Sequence, residues 1–302
     1  LAEHTAPTEE VLAKGDVNAA DGEAISIQVR RGFVAHGSIA PSCALAVWEA
    51  GQLTVYSHTQ NPHGTRDALA KVFDLRGQHA VTVIYTPSAG TYGHSGQDDV
   101  TLDAALLAHA VDGAPVRVVW ARADEFRAAP LGPGMVVDGT ARVDAAGKLT
   151  SIQMCSTSQP HAQRPGREGL VAMLAAERLS NPFPIRNTAD VPIARGGGAE
   201  RNAIPLYNVA NVNVSKRIAM DLPSRTSALR GLGAPVNVFA LEALMDEAAL
   251  AANVDPVQFR LAHLDDARAR DVISRAAQLA GWPGEASEGE ALGIGFAQYK
   301  NR

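Results

Sequence analysis

Three short segments hold residue types suited to gripping an anion or a polar reacting group. In the first, Gly90, Gly93 and Gly96 break up the stretch between Val81-Thr82-Val83-Ile84-Tyr85 and an apolar run that starts at Val100. A glycine-rich loop feeding a helix start offers free N–H groups and the positive end of the helix dipole, and both suit phosphate. Glycine also lets backbone approach a ligand with no Cβ in the way. In the second, Ser227-Ala228-Leu229-Arg230-Gly231-Leu232-Gly233-Ala234-Pro235, an arginine stands among glycines just ahead of another helix. A guanidinium binds phosphate-like or oxo groups through its planar fork. The third, His58-Thr59-Gln60-Asn61-Pro62, is amide-rich and lies where a strand hands over to a helix. Each also has a plain structural use, as a glycine turn, a surface arginine and a helix cap at Asn61.

Spacing alone leaves several chemistries open for the glycine loop. A dinucleotide fold wants G-x-G-x-x-G tight after the strand and an acid about 20 residues on. Here the glycines recur every third residue, and Asp124 comes later, in a polar turn. A nucleophile elbow wants G-x-S-x-G. Gly93-His94-Ser95-Gly96-Gln97 lacks the closing glycine, and His161 or His263 are only guesses at a partner base. Phosphate or pyrophosphate binding by a cofactor other than NAD is the third reading. His58 and His63 sit five apart, which misses the facing of a helical metal pair, so no histidine metal site is expected.

The elements that must position these segments follow from composition and period. The 302 residues are 46% hydrophobic and 20% charged, enough apolar material for a real core. The net charge of −5 comes with no basic stripe, which speaks against nucleic acid. Two cysteines, Cys43 and Cys155, make neither a disulfide scaffold nor a thiolate cage. No apolar run approaches the ~18 residues that span a bilayer. The chain starts at Leu1, not Met, and no basic-then-apolar stretch precedes the domain, so its true N-terminus, with any signal segment, is expected to be missing.

Alternation predicts strands over 25–30, 81–85, 116–120 and 209–215, and a hairpin of 44–48 with 53–56. Residues 136–137 and 141–143 belong to another candidate hairpin, which turns at 144–147 into 149–154. Helices are expected over 62–75 and 100–111, the latter capped by Asp98 or Asp99 and stopped by Gly113. Further helices are expected over 238–252, from Asp255-Pro256 with Gln258 closing a capping box, and over 267–280. The middle, 156–205, reads as a loop-rich excursion with one helix near 168–179. Residues 292–299 read as a strand with nothing to pair with. Hairpins mixed with helices indicate α+β, with mixed sheets and packed helices.

In order along the chain come His36-Gly37-Ser38-Ile39-Ala40-Pro41, similar to a His-Ala-x-x-Glu-Pro segment, and Thr59-Gln60-Asn61-Pro62. Ala89-Gly90-Thr91-Tyr92-Gly93 follows, like G-G-G-F-G, and then Leu229-Arg230-Gly231-Leu232-Gly233-Ala234-Pro235, like F-R-G-F-G-x-P-Q. Met245-Asp246-Glu247 and Val254-Asp255-Pro256-Val257-Gln258-Phe259-Arg260 look like D-E-L-A and G-x-D-P-x-x-x-R helices. Together these resemble the molybdopterin-binding large subunit of the xanthine dehydrogenase/aldehyde oxidase family. The likeness is nearest the branch of the isoquinoline oxidoreductase and nicotinate dehydrogenase large subunits.

The resemblance implies a connector over 1–23, a first molybdopterin-binding domain over 24–265, and the start of a second over 266–302. It puts Gln60 near the molybdenum oxo and sulfido ligands, Gly90, Thr91, Tyr92 and Gly93 against the metal–pterin unit, and Arg230 beside the molybdenum. No protein ligand to the metal is implied. Leu232 falls in the substrate pocket, where many relatives carry an aromatic that sandwiches a flat substrate. Val236 replaces a usual glutamine, and Gly96 or Gln97 falls where purine oxidisers place a glutamate, which argues against xanthine. Gly196-Gly197-Gly198 with Arg201 could border the substrate channel.

The activity implied is hydroxylation of an N-heteroaromatic ring, or oxidation of an aldehyde, with oxygen from water. The cofactor is expected in its cytosine dinucleotide form. Electrons would pass to a small ferredoxin-like 2Fe-2S subunit, since two cysteines cannot hold one cluster. The branch often adds cytochrome c segments, although no C-x-x-C-H occurs here. The family's base is a glutamate in a Gly-x-Gly-Glu segment near the C-terminus, and this sequence has none. Gly293-Ile294-Gly295-Phe296-Ala297 resembles instead the opening strand of the second domain. The polypeptide is therefore expected to be a bacterial fragment, cytoplasmic or periplasmic, with no catalytic residue of its own and inactive alone. Outside the family, the alternatives are an NAD-dependent or serine-hydrolase α/β enzyme built on the Gly90–Gly96 loop, or a fragment that only binds a partner.

Overall fold

The computed structural model describes every residue except 2–3, 78, 89, 223, 285–287 and 300–302. Two stretches of alternating residues build two separate mixed sheets. The smaller sheet holds β3 (Cys43–Glu49), β4 (Gln52–Ser57), β5 (Val81–Tyr85) and β6 (Val116–Val119), in the order β5-β4-β3-β6. β3 and β4 form the predicted hairpin, with Trp48 opposite Leu53. β4 and β5 run parallel, so a crossover helix must join them. That helix is α1 (Pro62–Val72), capped by Asn61 and entered through Pro62. α2 (Gln97–Val111) lies on the same sheet. Ala44, Ala46, Leu53 and Val55 meet Leu69, Val100, Ala104 and Ala108 in one core.

The larger sheet has the order β1-β9-β8-β7-β2, with β1 (Thr8–Lys14), β2 (Glu23–Arg31), β7 (Met135–Val143), β8 (Leu149–Ser158) and β9 (Asn211–Ile218). β8 and β9 are parallel and the other neighbours antiparallel. The β7–β8 turn is shaped by Asp144, whose carboxylate accepts from the N–H groups of Ala146 and Lys148. α4 (Ala234–Ala251) covers this sheet, placing Leu244, Met245 and Ala248 in a core with Val137, Ile152 and Met154. α5 (Pro256–Ala262) and α6 (Ala267–Leu279) extend that core through Phe259 and Ile273. The short α3 (Arg122–Ala128) joins the two halves in sequence. No helix among the described residues is long and apolar enough to cross a membrane.

The α+β expectation holds, and several details are corrected. Residues 1–23 are not merely a connector, because β1 pairs with β9 on the sheet edge. Residues 136–143 are one continuous strand, not separate pieces. No α-helix forms near 168–179. Arg167–Gly169 and Leu174–Arg178 are 3-10 turns, and Val171, Met173 and Ala176 are delivered to the smaller core from this irregular run. Neither Asp98 nor Asp99 caps α2. Gly96 holds the cap position, while both aspartates are buried and bonded elsewhere. Asp255 caps α5 by accepting from Val257 and Gln258, with no return bond from Gln258. Residues 292–299 form no strand. Their backbone is instead held by side chains: Glu242 accepts from the Phe296 N–H, and Asn202 donates to the Gln298 carbonyl. Lys300 to Arg302, the end of the expected second domain, lie outside the described residues.

Candidate functional site

The glycine loop and the arginine loop meet as a two-residue antiparallel ladder. The His94 N–H donates to the Ala228 carbonyl at 2.7 Å, and the Arg230 N–H donates to the Tyr92 carbonyl at 2.8 Å. Gly93 and Leu229 face each other at the bridge. Gly93 has φ +129, and a Cβ there would stand 2.0 Å from the Ala228 oxygen, so only glycine permits this approach. Both loops are strained on either side of the ladder, with Tyr92 at φ +52 and Leu232 at φ +56. Non-glycine residues in this region cost of order 1–3 kcal/mol and concentrate at functional sites.

Gln60 completes the group from a third direction. It sits between β4 and α1, and its amide nitrogen donates to the Thr91 hydroxyl. The structure thus brings Gln60, Gly90, Thr91, Tyr92, Gly93 and Arg230 to one place, while Ala89 lies outside the described residues. Leu232 is one glycine away from Arg230, with its side chain only 9% exposed.

Arg164 joins them without any sequence signal. Its Nη2 lies 3.4 Å from the Gln60 side-chain oxygen. Burial pulls this guanidinium below the ordinary arginine range, opposed by the charge of Asp98 and reinforced by Arg167. Among the described residues, neither Arg164 nor Arg230 has a carboxylate within ion-pair distance. The N–H groups of Thr91, Tyr92, Gly93 and Gly231 likewise have no acceptor among the described residues. Two cations without carboxylate partners, an amide and N–H donors gathered on adjoining loops suit an anionic, polar ligand.

The rival chemistries lose their geometry. Ser95 is buried and its hydroxyl donates to the Gln97 side-chain oxygen at 2.5 Å. His161 lies 3.1 Å from Ser158, and His263 accepts from the Leu149 N–H, so neither serves Ser95. Both sheets are mixed and partly antiparallel, unlike a doubly wound dinucleotide fold.

The Gly196-Gly197-Gly198 run adjoins the cradle. The Gly198 carbonyl accepts from the Gly233 N–H at 3.1 Å. Beyond it opens a cavity of about 680 Å³ lined by Glu200, Arg201, Tyr207, Glu242 and Phe296.

Two loops bearing unpaired donors on a two-sheet α+β frame are the setting, and the class is a molybdopterin cofactor-binding domain. Residues 3–191 and 197–264 match the family of that description, and the chain belongs to it. It is 35% identical to a nicotinate dehydrogenase subunit of Pseudomonas putida, over 96% of this chain and 24% of that protein. It is 31% identical to the beta subunit of isoquinoline 1-oxidoreductase of Brevundimonas diminuta, over 57% of this chain and 24% of that protein. The chain therefore spans about a quarter of the length of these curated relatives. Among solved structures, quinoline 2-oxidoreductase of Pseudomonas putida superposes with a TM-score of 0.71 at 17% identity, covering 91% of this chain and 35% of that one. Aldehyde oxidoreductase of Desulfovibrio gigas gives 0.68 at 18% identity, covering 90% and 29%. These last two likenesses concern the fold.

Proposed function

We propose that Gln60, the Gly90–Gly93 loop, Arg164 and Arg230 form one wall of the cofactor site of a molybdenum hydroxylase. The observation that carries this reading is the meeting of segments remote in sequence around donors left unpaired. The donor set fits an anionic metal–pterin group: guanidinium and N–H groups supply positive charge, and Gly93 lets the two donor-bearing loops close on each other. When bound, that cofactor supplies two-electron redox chemistry and oxygen drawn from water. The protein's part is to orient and neutralise. Gln60, fixed between Thr91 and Arg164, presents its amide in one orientation. Arg164 and Arg230 offset negative charge, and burial of Arg164 strengthens its pull by excluding water.

The substrate class is an N-heteroaromatic ring or an aldehyde. The names of the relatives support it, since they are a nicotinate dehydrogenase and an isoquinoline oxidoreductase. Gln97 is fully buried with its oxygen occupied by Ser95, which speaks against a purine-binding carboxylate substitute at that position. Cavity-lining Arg201 and the Gly196–Gly198 run border the substrate side. The cofactor is the cytosine dinucleotide form, and electrons leave to a small 2Fe-2S ferredoxin-like subunit and, in some assemblies, to a cytochrome c. The first molybdopterin-binding unit takes in β1 and α6 as well as 24–265, because β1 pairs with β9 and Ile273 packs in the larger core. Metal analysis of the full-length chain, co-expressed with its genomic neighbours, tests the proposal. Stoichiometric molybdenum is expected, and active protein free of molybdenum would refute it.

A further inference from the structure

We propose that Thr59, Thr65, Asp98, His94, Ser227 and the Gln163 carbonyl form a buried positioning relay that holds all four parts of the cradle in register. The bearing of this relay on a ligand rests on the function proposed above; its geometry does not.

The relay runs through the interior without a break. His94 Nδ1 lies 2.5 Å from the Ser227 hydroxyl, and His94 Nε2 is hydrogen-bonded to an Asp98 carboxylate oxygen. The other Asp98 oxygen is 2.9 Å from the Thr65 hydroxyl, which lies 3.1 Å from the hydroxyl of Thr59. At the far end, Ser227 donates to the Gln163 carbonyl at 2.9 Å. Four of these residues stand beside or within the cradle segments, and Thr65 and Asp98 link them. Thr59 precedes Gln60, His94 follows Gly93, Gln163 precedes Arg164, and Ser227 opens the loop that carries Arg230. His94 is 4% exposed, and Asp98 and Ser227 are each 1% exposed.

A carboxylate only accepts, so His94 Nε2 carries a hydrogen and donates it to Asp98. The Ser227 hydroxyl bridges His94 Nδ1 and the Gln163 carbonyl, tying the histidine to the segment that carries Arg164. Burial would raise the Asp98 carboxyl, yet the charge and hydrogen bond of His94, with the hydrogen bonds of Thr59 and Thr65, hold it below the usual range. The charged and titratable groups facing the pair from other elements are His36, His58, Arg164 and Arg225. Burial, opposed by a hydrogen bond to Ala228 and reinforced by the charge of His94, pulls His36 below the ordinary histidine range.

The order serine, histidine, aspartate imitates a hydrolytic triad, and burial of all three groups away from any substrate removes that role. What remains is positioning. A buried polar network of this kind gives little net stability against an apolar replacement, and its best-supported use is to fix one arrangement.

The test uses the full-length chain in three measurements. Nitrogen-15 NMR of histidine-labelled wild-type protein should show a hydrogen on His94 Nε2 protected from exchange with solvent; a rapidly exchanging ring hydrogen at His94 overturns the proposal even if no variant folds. In cofactor-free protein, Ser227→Ala should raise amide exchange at Arg230 at least tenfold while β7 and β8 amides stay unchanged. His94→Phe, which fills the space without donors, should do the same, and unchanged Arg230 exchange in either folded variant overturns the relay. Molybdopterin retained by Ser227→Ala after gel filtration should fall at least tenfold. Should the wild type retain none, the proposed function fails, while the first two measurements still decide the relay.

Discussion

Replacing Gly93 with alanine tests the ladder on which the cradle depends. The new Cβ would lie 2.0 Å from the Ala228 oxygen, and both are backbone-fixed, so no rotamer change relieves the overlap. The loops must part, losing the His94–Ala228 and Arg230–Tyr92 hydrogen bonds, worth about 1 kcal/mol each. Alanine at φ +129 adds about 1–3 kcal/mol of backbone strain. The whole cost is then about 3–5 kcal/mol. Gly77→Ala separates the two contributions, because Gly77 has φ +114 and nothing within 4 Å of where its new methyl would stand. It carries the strain without the collision. Amide exchange at Arg230, with urea denaturation alongside, reads the difference. Gly93→Ala should speed Arg230 exchange by about 30-fold, the equivalent of the two lost bonds, and Gly77→Ala should leave it alone. Equal behaviour of the two variants would show that the loops have slack and that the ladder does not set the cradle.

Other consequences follow from single groups. His161 is buried beside the charges of Arg31 and Arg201, and burial first, then those charges, push it from 6.5 to about 3. Below pH 6.5 the unfolded chain takes up a proton that the native state refuses, so stability should fall by about 1.4 kcal/mol per pH unit in that window. His161→Gln should flatten the slope in urea titrations between pH 7 and about 5, and an unaltered slope assigns it to another group. Arg260 is fully buried and bonded to Glu242 and Asp246. Arg260→Ala leaves Glu242 uncompensated and should cost about 3–5 kcal/mol in denaturation; a loss under about 1 kcal/mol would mean water reaches the site. Arg230 has an exposed side chain with no partner among the described residues. Arg230→Ala should keep stability within about 0.5 kcal/mol yet lower the molybdenum content of full-length protein, and normal loading would remove it from the cradle.

The legible parts of the fold were those whose pattern is local. β5 spans the predicted 81–85 residue for residue, and α2 keeps the predicted end at 111. β1 was hidden because its partner β9 lies some two hundred positions on and its own residues are mostly exposed. The 168–179 stretch has helix-like apolar spacing, but its buried side chains fill the smaller core from irregular backbone. In the site, glycine and arginine composition pointed to Gly90–Gly93 and Arg230, and the family likeness pointed to Gln60. Arg164 was illegible, since only the folded loop after β8 carries it to Gln60. Asp98 and Asp99 were misjudged as caps because helix-start aspartates usually serve the nearest N–H groups. Here Asp98 serves His94 and Thr65, and Asp99 serves Arg225 through two bonds of 2.7 Å.

These misjudged positions share a location, and the location is informative. Local rules break where a structure is held for a purpose other than stability. Within a few residues of the ladder stand two non-glycine residues at positive φ, Tyr92 and Leu232. There too are a buried His94–Asp98 pair and two guanidinium groups without carboxylate partners among the described residues. Each feature alone has a cheaper apolar or glycine alternative. The larger half, with Ile152, Met154 and Leu244 fully buried, has buried charges too, but there Lys216 pairs with Glu200 and Arg260 with Glu242. Guanidinium groups without carboxylate partners beside the ladder, on a rigid two-core frame, are what the proposed anion cradle requires.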